Sequence, residues 1–226
     1  MYLSFAVHKL AKFSANPGKV HFEGLIYLFR YIRYNNTLVL KYHAYLNDSP
    51  VNDLMRQTNN ETKNHLMDFS DSSWKYCPES GRSTGAYNIF YQFGPIDHVT
   101  HVPGPVTQSS AESEYNAACT AGMDLAHFSM LIHELLNKDP DIFPEEAPLV
   151  VLKSKSSMCM AKNGKDTKHT RHISRRMYFV RNEEKLKMHK IDWCEVGLQL
   201  ADIGNKNVSE PDLTPRMKYV MLRLEN

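Results

Sequence analysis

The residues best suited to chemistry in this 226-residue chain are acids at the ends of the predicted secondary-structure elements. Asp71 ends a predicted strand, and Asp202 lies in a predicted helix near the C-terminus. Glu112 and Glu114 open a long predicted helix, where they point about 200° apart, so only one of them can face a common site. Small residues follow Glu114 along its helix face and favour close approach to a sheet, so we predict that Glu114 faces inward. Alternatively, all these acids are ordinary helix N-terminal and solvated loop acids.

Strands and helices alternate in the part of the chain that must position these acids. Its apolar patterns predict strands at 66–71, 85–92, 96–102, 149–152 and 188–194, and helices at 109–136, 155–162, 170–184, 197–203 and 211–224. Strands that come first and then alternate with helices indicate an α/β fold, a mixed β-sheet flanked by helices.

A smaller unit precedes this part of the chain. Residues 2–13 have helical spacing, and a second helix is expected to begin with Asn16 as its N-cap and Pro17 in its first turn. That helix carries an apolar stripe, formed by Phe22, Leu25, Ile26, Phe29 and Ile32. Residues 37–42 predict a short strand. The polar stretch 43–65 is expected to be a linker or insertion between the two units.

Composition limits the class of protein. The chain is 42% hydrophobic and 23% charged, which is typical of a folded globular protein. Its apolar runs are too short for the roughly 20 residues of a membrane-spanning helix, and no signal peptide is visible. We therefore expect no membrane partner and an intracellular location, in the cytoplasm or the nucleus. The four cysteines are widely separated and predict isolated thiols.

Charge is concentrated in one segment. Residues 153–190 contain twelve Lys and Arg against three acids, which gives +9, whereas the whole chain carries only +2. This asymmetry indicates an anionic partner, most commonly nucleic acid, although a solvated basic helix gives the same count.

Five short motifs occur in a fixed order along the chain. Residues 70–74 read S-D-S-S-W, 82–87 read R-S-T-G-A-Y, 109–115 read S-S-A-E-S-E-Y, 170–173 read T-R-H-I, and 199–206 read Q-L-A-D-I-G-N-K. In their residues and in their order, these motifs resemble those of the ribonuclease H domain of copia-type retrotransposon polyproteins. The first unit resembles the end of the reverse transcriptase that precedes this domain. The resemblance therefore covers nearly the whole chain and implies the carboxy-terminal part of such a polyprotein.

The resemblance implies hydrolysis of RNA in RNA–DNA hybrids by two Mg²⁺ or Mn²⁺ ions held by four carboxylates. Asp71 matches the first of these catalytic, metal-binding carboxylates, Glu114 the second and Asp202 the fourth. The third is expected directly after the strand at 149–152, where this chain has Lys153. The same resemblance assigns nucleic-acid binding to the basic helix, through Lys168, Arg171, Arg175, Arg176 and Arg181.

The resemblance also divides the chain. Residues 1–42 are expected to be a reverse transcriptase connection remnant, 43–65 a linker, 66–208 the ribonuclease H-like domain and 209–226 a C-terminal helix. The upstream polymerase part of a polyprotein is an expected partner.

Lys153 is the departure that matters most for activity. Four carboxylates carry −4, whereas three carboxylates and one lysine carry −2. The lysine is expected to pair with Asp71 and Glu114 as a built-in cation, or else to point into solvent beside a working three-carboxylate site. Ser73 and Gly204-Asn205 also differ from the residues that the family motifs have at these positions. Three functions remain open: an impaired nuclease, a non-catalytic nucleic-acid-binding module, and a non-functional transposon remnant.

Overall fold

The computed structural model describes residues 2–42, 52, 56, 66–77, 80–92, 94–104, 106–136, 147–162 and 173–224. Apart from two isolated positions, the predicted linker at 43–65 lies outside these residues. In the part of the chain that is described, no helix is long and apolar enough to cross a membrane.

Two helices and a short strand precede the main sheet, as predicted: α1 (Ser4–Ala11), α2 (Lys19–Tyr34) and β1 (Leu38–Leu40). The prediction of Asn16 as the N-cap of α2 is wrong. Gly18 occupies that position, and its backbone N–H donates to Nδ1 of His21 at 2.9 Å. The histidine ring thus satisfies an amide at the start of the helix, where backbone N–H groups have no partner inside the helix.

The apolar stripe of α2 is largely exposed. Phe22 and Phe29 keep 62% and 58% of their surface accessible, and Leu28 is the residue of this helix that is buried. Together with α1 the stripe lines an apolar groove of about 830 Å³. The predicted stripe therefore forms a surface of the N-terminal unit rather than part of the main core.

A five-stranded mixed sheet forms the centre of the molecule. Its strands are β2 (Leu66–Ser73), β3 (Thr84–Tyr91), β4 (Gly94–His101), β5 (Leu149–Leu152) and β6 (Lys190–Trp193). Their order across the sheet is β4-β3-β2-β5-β6. The first three strands are antiparallel neighbours, whereas β5 pairs parallel with β2, and β6 parallel with β5. This is the mixed sheet that the order of predicted strands and helices indicated.

Helices cover both faces of this sheet. They are α3 (Ser110–Leu135), α4 (Lys155–Lys162), α5 (Ser174–Lys185), α6 (Asp202–Asn205) and α7 (Glu210–Val220). One core joins Tyr87 and Val150 to α3 and α5, and the other joins Phe69 and Val151 to the segment around α6 and α7. Because β5 is buried on both faces, its sequence is a continuous apolar run.

The C-terminal part differs from the prediction at two points. The helix expected at 197–203 is split into a 3₁₀ turn (Val196–Leu198) and α6, because the backbone of Gln199 is extended (φ −73°, ψ 98°). The side chain of Gln199 bonds to the sheet. Its amide donates to the carbonyls of Ser70 at 3.0 Å and Val151 at 3.3 Å. The helix expected at 211–224 ends at Val220, and the next residues form β7 (Met221–Arg223), which pairs antiparallel with β1.

Candidate functional site

The adjacent parallel strands β2 and β5 bring Asp71 and Lys153 together. Asp71 lies near the end of β2 and is fully buried, and Lys153 directly follows β5. The Lys153 ammonium donates to Oδ2 of Asp71 at 2.5 Å and to Oδ1 of Asp202 at 3.0 Å. One cation is therefore shared by two of the carboxylates that were predicted to bind metal.

Asp202 is held by two further cations. Lys206, one helical turn later, reaches Oδ1 of Asp202 at 2.6 Å, and Arg216 of α7 donates to Oδ2 at 3.2 Å. Arg216 is buried and also donates to the carbonyls of Gln199, Asp212 and Val196. The carboxylate of Asp202 is thus oriented by three cations, and one of them ties α7 to the site.

Close approach of α6 to the sheet places Asp202 beside Asp71. A Cβ on Gly204 would lie 2.7 Å from Cε1 of His98 and 2.8 Å from Cβ of Ala86. Thr100 donates to the carbonyl of Gly204 at 2.8 Å and fixes this approach. Gly204 differs from the residue in the family motif, and in this chain the close packing leaves no room for a larger residue at this position.

Ser73 and Asn205, which also differ from the family motifs, form hydrogen bonds at the site. Asn205 donates its amide N–H to Oδ2 of Asp71 at 2.8 Å, and Ser73 donates to Oδ1 of Asn205 at 3.3 Å. Oδ1 of Asp71 has no hydrogen-bond donor among the described residues. Ser73 and Asn205 therefore form one network with Asp71.

The start of α3 places Glu114 at the same site. Ser109 caps the helix by accepting from the Glu112 amide, and the Glu112 side chain accepts from the Gln108 amide at 2.8 Å. Ser113 bonds to Ser72 of β2 at 2.5 Å, so the next residue, Glu114, lies beside the end of that strand. Of the two candidate acids, Glu112 therefore serves the helix N-terminus.

The short distances between these groups shift their pKa values. Burial and the neighbouring carboxyl of Asp202 raise the pKa of Asp71, against the opposing charge of Lys153. Burial also raises the pKa of Glu114, again opposed by Lys153 and by a hydrogen bond with Ser154. Burial lowers the pKa of Lys153, but the charges of Asp71 and Asp202 outweigh it and raise that pKa above its usual range. Lys153 therefore remains an ammonium at neutral pH.

The side chains present do not fit a metal pair. Lys153 takes the position between Asp71 and Asp202, and Lys206 and Arg216 make two further contacts with Asp202. Over the described ranges, no group of three or more His, Cys, Asp or Glu side chains is arranged to hold a metal ion. The catalytic and metal-binding roles of Asp71, Glu114 and Asp202 remain predictions.

Only part of the predicted nucleic-acid-binding set lies in described residues. Lys168 and Arg171 fall outside them. Arg175 and Arg181 line a cavity between α4 and α5, whereas Arg176 does not. Arg176 follows Arg175 in α5 and therefore lies about 100° further around the helix. Its backbone carbonyl accepts from the Tyr115 hydroxyl. The structure therefore divides the predicted arginines between two faces.

Two retrotransposon proteins are similar to the chain over nearly its full length. One is the Pol polyprotein of transposon TNT 1-94 from Nicotiana tabacum, 24% identical over 224 residues, which are 98% of this chain and 14% of that protein. Another is the Pol polyprotein of transposon RE2 from Arabidopsis thaliana, 22% identical over 207 residues, 92% of this chain and 13% of that protein. The resemblance to copia-type polyproteins is thus confirmed, and the chain spans about one seventh of these relatives. No family model matches the chain.

Ribonuclease H domains are among the solved structures that align with the chain. The N-terminal ribonuclease H domain of a Mycobacterium tuberculosis protein aligns at a TM-score of 0.44 and 13% identity, over 69% of this chain and 98% of that one. Ribonuclease H1 from Halobacterium salinarum aligns at a TM-score of 0.40 and 11% identity, over 60% of this chain and 89% of that one.

Proposed function

We propose that this chain is the ribonuclease H-like domain of a copia-type Pol polyprotein, that it binds RNA–DNA hybrids, and that its hydrolytic centre is impaired. The impairment is supported above all by the contacts of Lys153 with Asp71 and Asp202 at 2.5 and 3.0 Å. In the family mechanism these carboxylates bind divalent metal. Here the same oxygens already have a permanent positive partner.

The cost of adding a metal beside this lysine is large. Two like unit charges 4 Å apart repel by about 4 kcal/mol at an effective dielectric constant of 20. A divalent ion at that distance from the ammonium doubles the repulsion, to about 8 kcal/mol. The site also lacks the oxygen ligand that an acid in place of Lys153 supplies. Both effects oppose Mg²⁺ binding, and they act in addition to each other.

Binding of a hybrid does not need this centre. Lys and Arg side chains supply most of the affinity for nucleic acid through contacts with phosphates. Arg175 is exposed at the start of α5, within the segment that carries +9. The second candidate function is a module that binds hybrids without cleaving them. It is favoured by the contacts of Lys153 with the two carboxylates and by the exposed Arg175 in the basic segment. In either case we propose that the domain acts beside the polymerase part of a longer polyprotein, because its relatives are about seven times longer.

A cleavage assay tests the proposal. An RNA–DNA hybrid with a labelled RNA strand is incubated with the protein over a Mg²⁺ titration. We expect little or no cleavage by the protein as it stands, and increased cleavage by Lys153→Asp, which supplies a ligand and removes the positive charge. Lys153→Ala should give a smaller increase, because it removes the repulsion but supplies no ligand. Lys155→Asp is the matched control, since it changes the same charge at an exposed lysine two residues away.

The outcomes separate the alternatives. If the unmodified protein cleaves hybrids and Asp71→Asn abolishes this, three carboxylates suffice and the proposed impairment is wrong. If no variant cleaves but hybrids bind with a steep salt dependence, the non-catalytic module is supported. If hybrids do not bind above the level of an unrelated basic protein, the chain is a remnant without this function.

A further inference from the structure

A cavity of about 600 Å³ lies between the end of α4 and α5. It is separate from the carboxylate site and was not predicted from the sequence. Its lining combines cations with aromatic rings, and its main members are Lys162, Arg175, Tyr178, Phe179, Arg181 and Lys185.

The charge of this cavity favours an anion. Four of the lining residues are Lys or Arg, against the single acid Glu184, which gives a balance of +3. Arg181 donates to the carbonyl of Met160 at 3.3 Å and so ties α5 to α4. Lys162, Arg175 and Lys185 are exposed around it. The cavity therefore has a fixed base and a positively charged rim.

Tyr178 gives the cavity a second property. This residue is 62% exposed, although a side chain of this size gains more by packing into a core. It lies three residues before Arg181 and seven before Lys185, so all three lie on one face of α5. An exposed aromatic ring among cations suits a nucleobase stacked on the ring with its phosphate on the rim. A phosphate alone gains nothing from the ring.

The position of the cavity relates it to the carboxylate site. The helix α4 begins two residues after Lys153 and ends at the cavity. Its eight residues span about 12 Å, since each residue adds 1.5 Å. The start of this connection is fixed, because the indole N–H of Trp193 donates to the Lys153 carbonyl at 2.7 Å. About three to four nucleotides stacked at 3.4 Å bridge this distance.

We propose that this cavity binds one nucleotide of a single strand that continues from the hybrid, with its base stacked on Tyr178 and its phosphate held by Arg175 and the two lysines. The assignment of that strand to a hybrid rests on the proposed function. The chemistry of the cavity requires only a nucleotide with a free base.

The experiment compares the affinities of four probes by fluorescence anisotropy: a blunt hybrid, the same hybrid with a single-stranded extension, a free single strand, and a free mononucleotide. We expect the extended hybrid to bind more tightly than the blunt one. Tyr178→Ala should remove that difference, with a loss of about 5- to 150-fold, whereas Tyr178→Phe should retain it. Arg175→Gln should weaken binding of the extension, whereas Lys187→Gln, which removes the same charge at an exposed lysine that does not line the cavity, should not.

Each outcome has a distinct meaning. If Tyr178→Ala leaves the preference for the extension unchanged, or if Lys187→Gln weakens it as much as Arg175→Gln, the proposed cavity function is wrong even where hybrids bind. If a free strand binds through Tyr178 but hybrids do not bind, the cavity is supported and the proposed hybrid function is not. If the mononucleotide competes as well as the strand at equal nucleotide concentration, the cavity is a nucleotide site and the strand proposal fails.

Discussion

Replacing Arg216 by Met should destabilise the protein strongly, although no sequence motif includes this residue. Arg216 is only 6% exposed, and its guanidinium makes four hydrogen bonds. Two of the acceptors depend on it most: Oδ2 of Asp202 and the carbonyl of Gln199. By contrast, the carbonyl of Val196 also accepts from the Gln199 amide and keeps a partner.

The size of the effect follows from these contacts. A hydrogen bond to a charged group contributes about 1.5–3 kcal/mol, and a buried carbonyl left without a donor costs about 1–3 kcal/mol. The two losses give an expected decrease of about 4 kcal/mol in the free energy of unfolding. Arg216→Lys should lie in between, because one ammonium keeps the charge but cannot reach all four acceptors. Arg223→Met is the control, since this exposed arginine donates to Asn35 alone among the bonds described.

Urea unfolding followed by tryptophan fluorescence measures these differences at pH 7 in the presence of EDTA. The variants should rank with the native protein and Arg223→Met most stable, Arg216→Lys next and Arg216→Met least stable. If Arg216→Met lies within about 1 kcal/mol of the Arg223→Met control, the guanidinium does not hold Asp202 and α7 together, and the reasoning fails.

Three further substitutions test other contacts. Burial, with the nearby carboxylates of Asp124 and Asp97, raises the pKa of Asp68 well above its usual value, so the neutral form favours the fold. The free energy of unfolding should therefore fall by up to about 1.4 kcal/mol per pH unit above pH 4, until the folded-state pKa of Asp68 is reached. Over that pH range, thermal unfolding should show that Asp68→Asn becomes more stable relative to the native protein. Gly204→Ala should cost about 1–3 kcal/mol in urea unfolding, because its Cβ would collide with the sheet. Gln199→Leu should cost about 2 kcal/mol, because two strand carbonyls lose their side-chain donor; no loss in either variant would contradict the packing described.

Much of the fold could be predicted from the sequence, because hydrophobic periodicity and turn residues report local structure directly. The strand at 149–152 and the helix that Ser109 caps agree with the structure. The failures have a common cause. Asn16 loses the capping position to Gly18, whose amide bonds to the ring of His21, and the predicted helix at 197–203 is interrupted at Gln199, where the backbone is extended and the side chain bonds to the sheet. In each case a specific side-chain bond that local propensity does not consider accompanies the change.

In the candidate site, too, the sequence predicted some features, whereas others are visible only in the structure. The motifs identified Asp71, Glu114, Lys153 and Asp202, and the structure brings them together. They also led to the expectation that Lys153 pairs with Asp71 and Glu114, whereas its ion pairs are with Asp71 and Asp202. Arg216 could not be found from spacing, because it reaches the site only through the packing of α7. Ser73 and Asn205 differ from the family motifs, and the hydrogen bond between them could not be predicted because it forms only in the folded chain.

Direct metal binding is the measurement that tests the central claim, that Lys153 takes the position of the metal. Mn²⁺ is titrated into the native protein, Lys153→Ala and Lys153→Asp, and the free ion is followed by electron paramagnetic resonance. We predict weak or undetectable binding by the native protein, stronger binding by the Ala variant, and the strongest by the Asp variant, with Asp71→Asn reversing that gain. Equal and tight binding by the native protein and Lys153→Asp would contradict the account, because the ammonium would then lie away from the metal site.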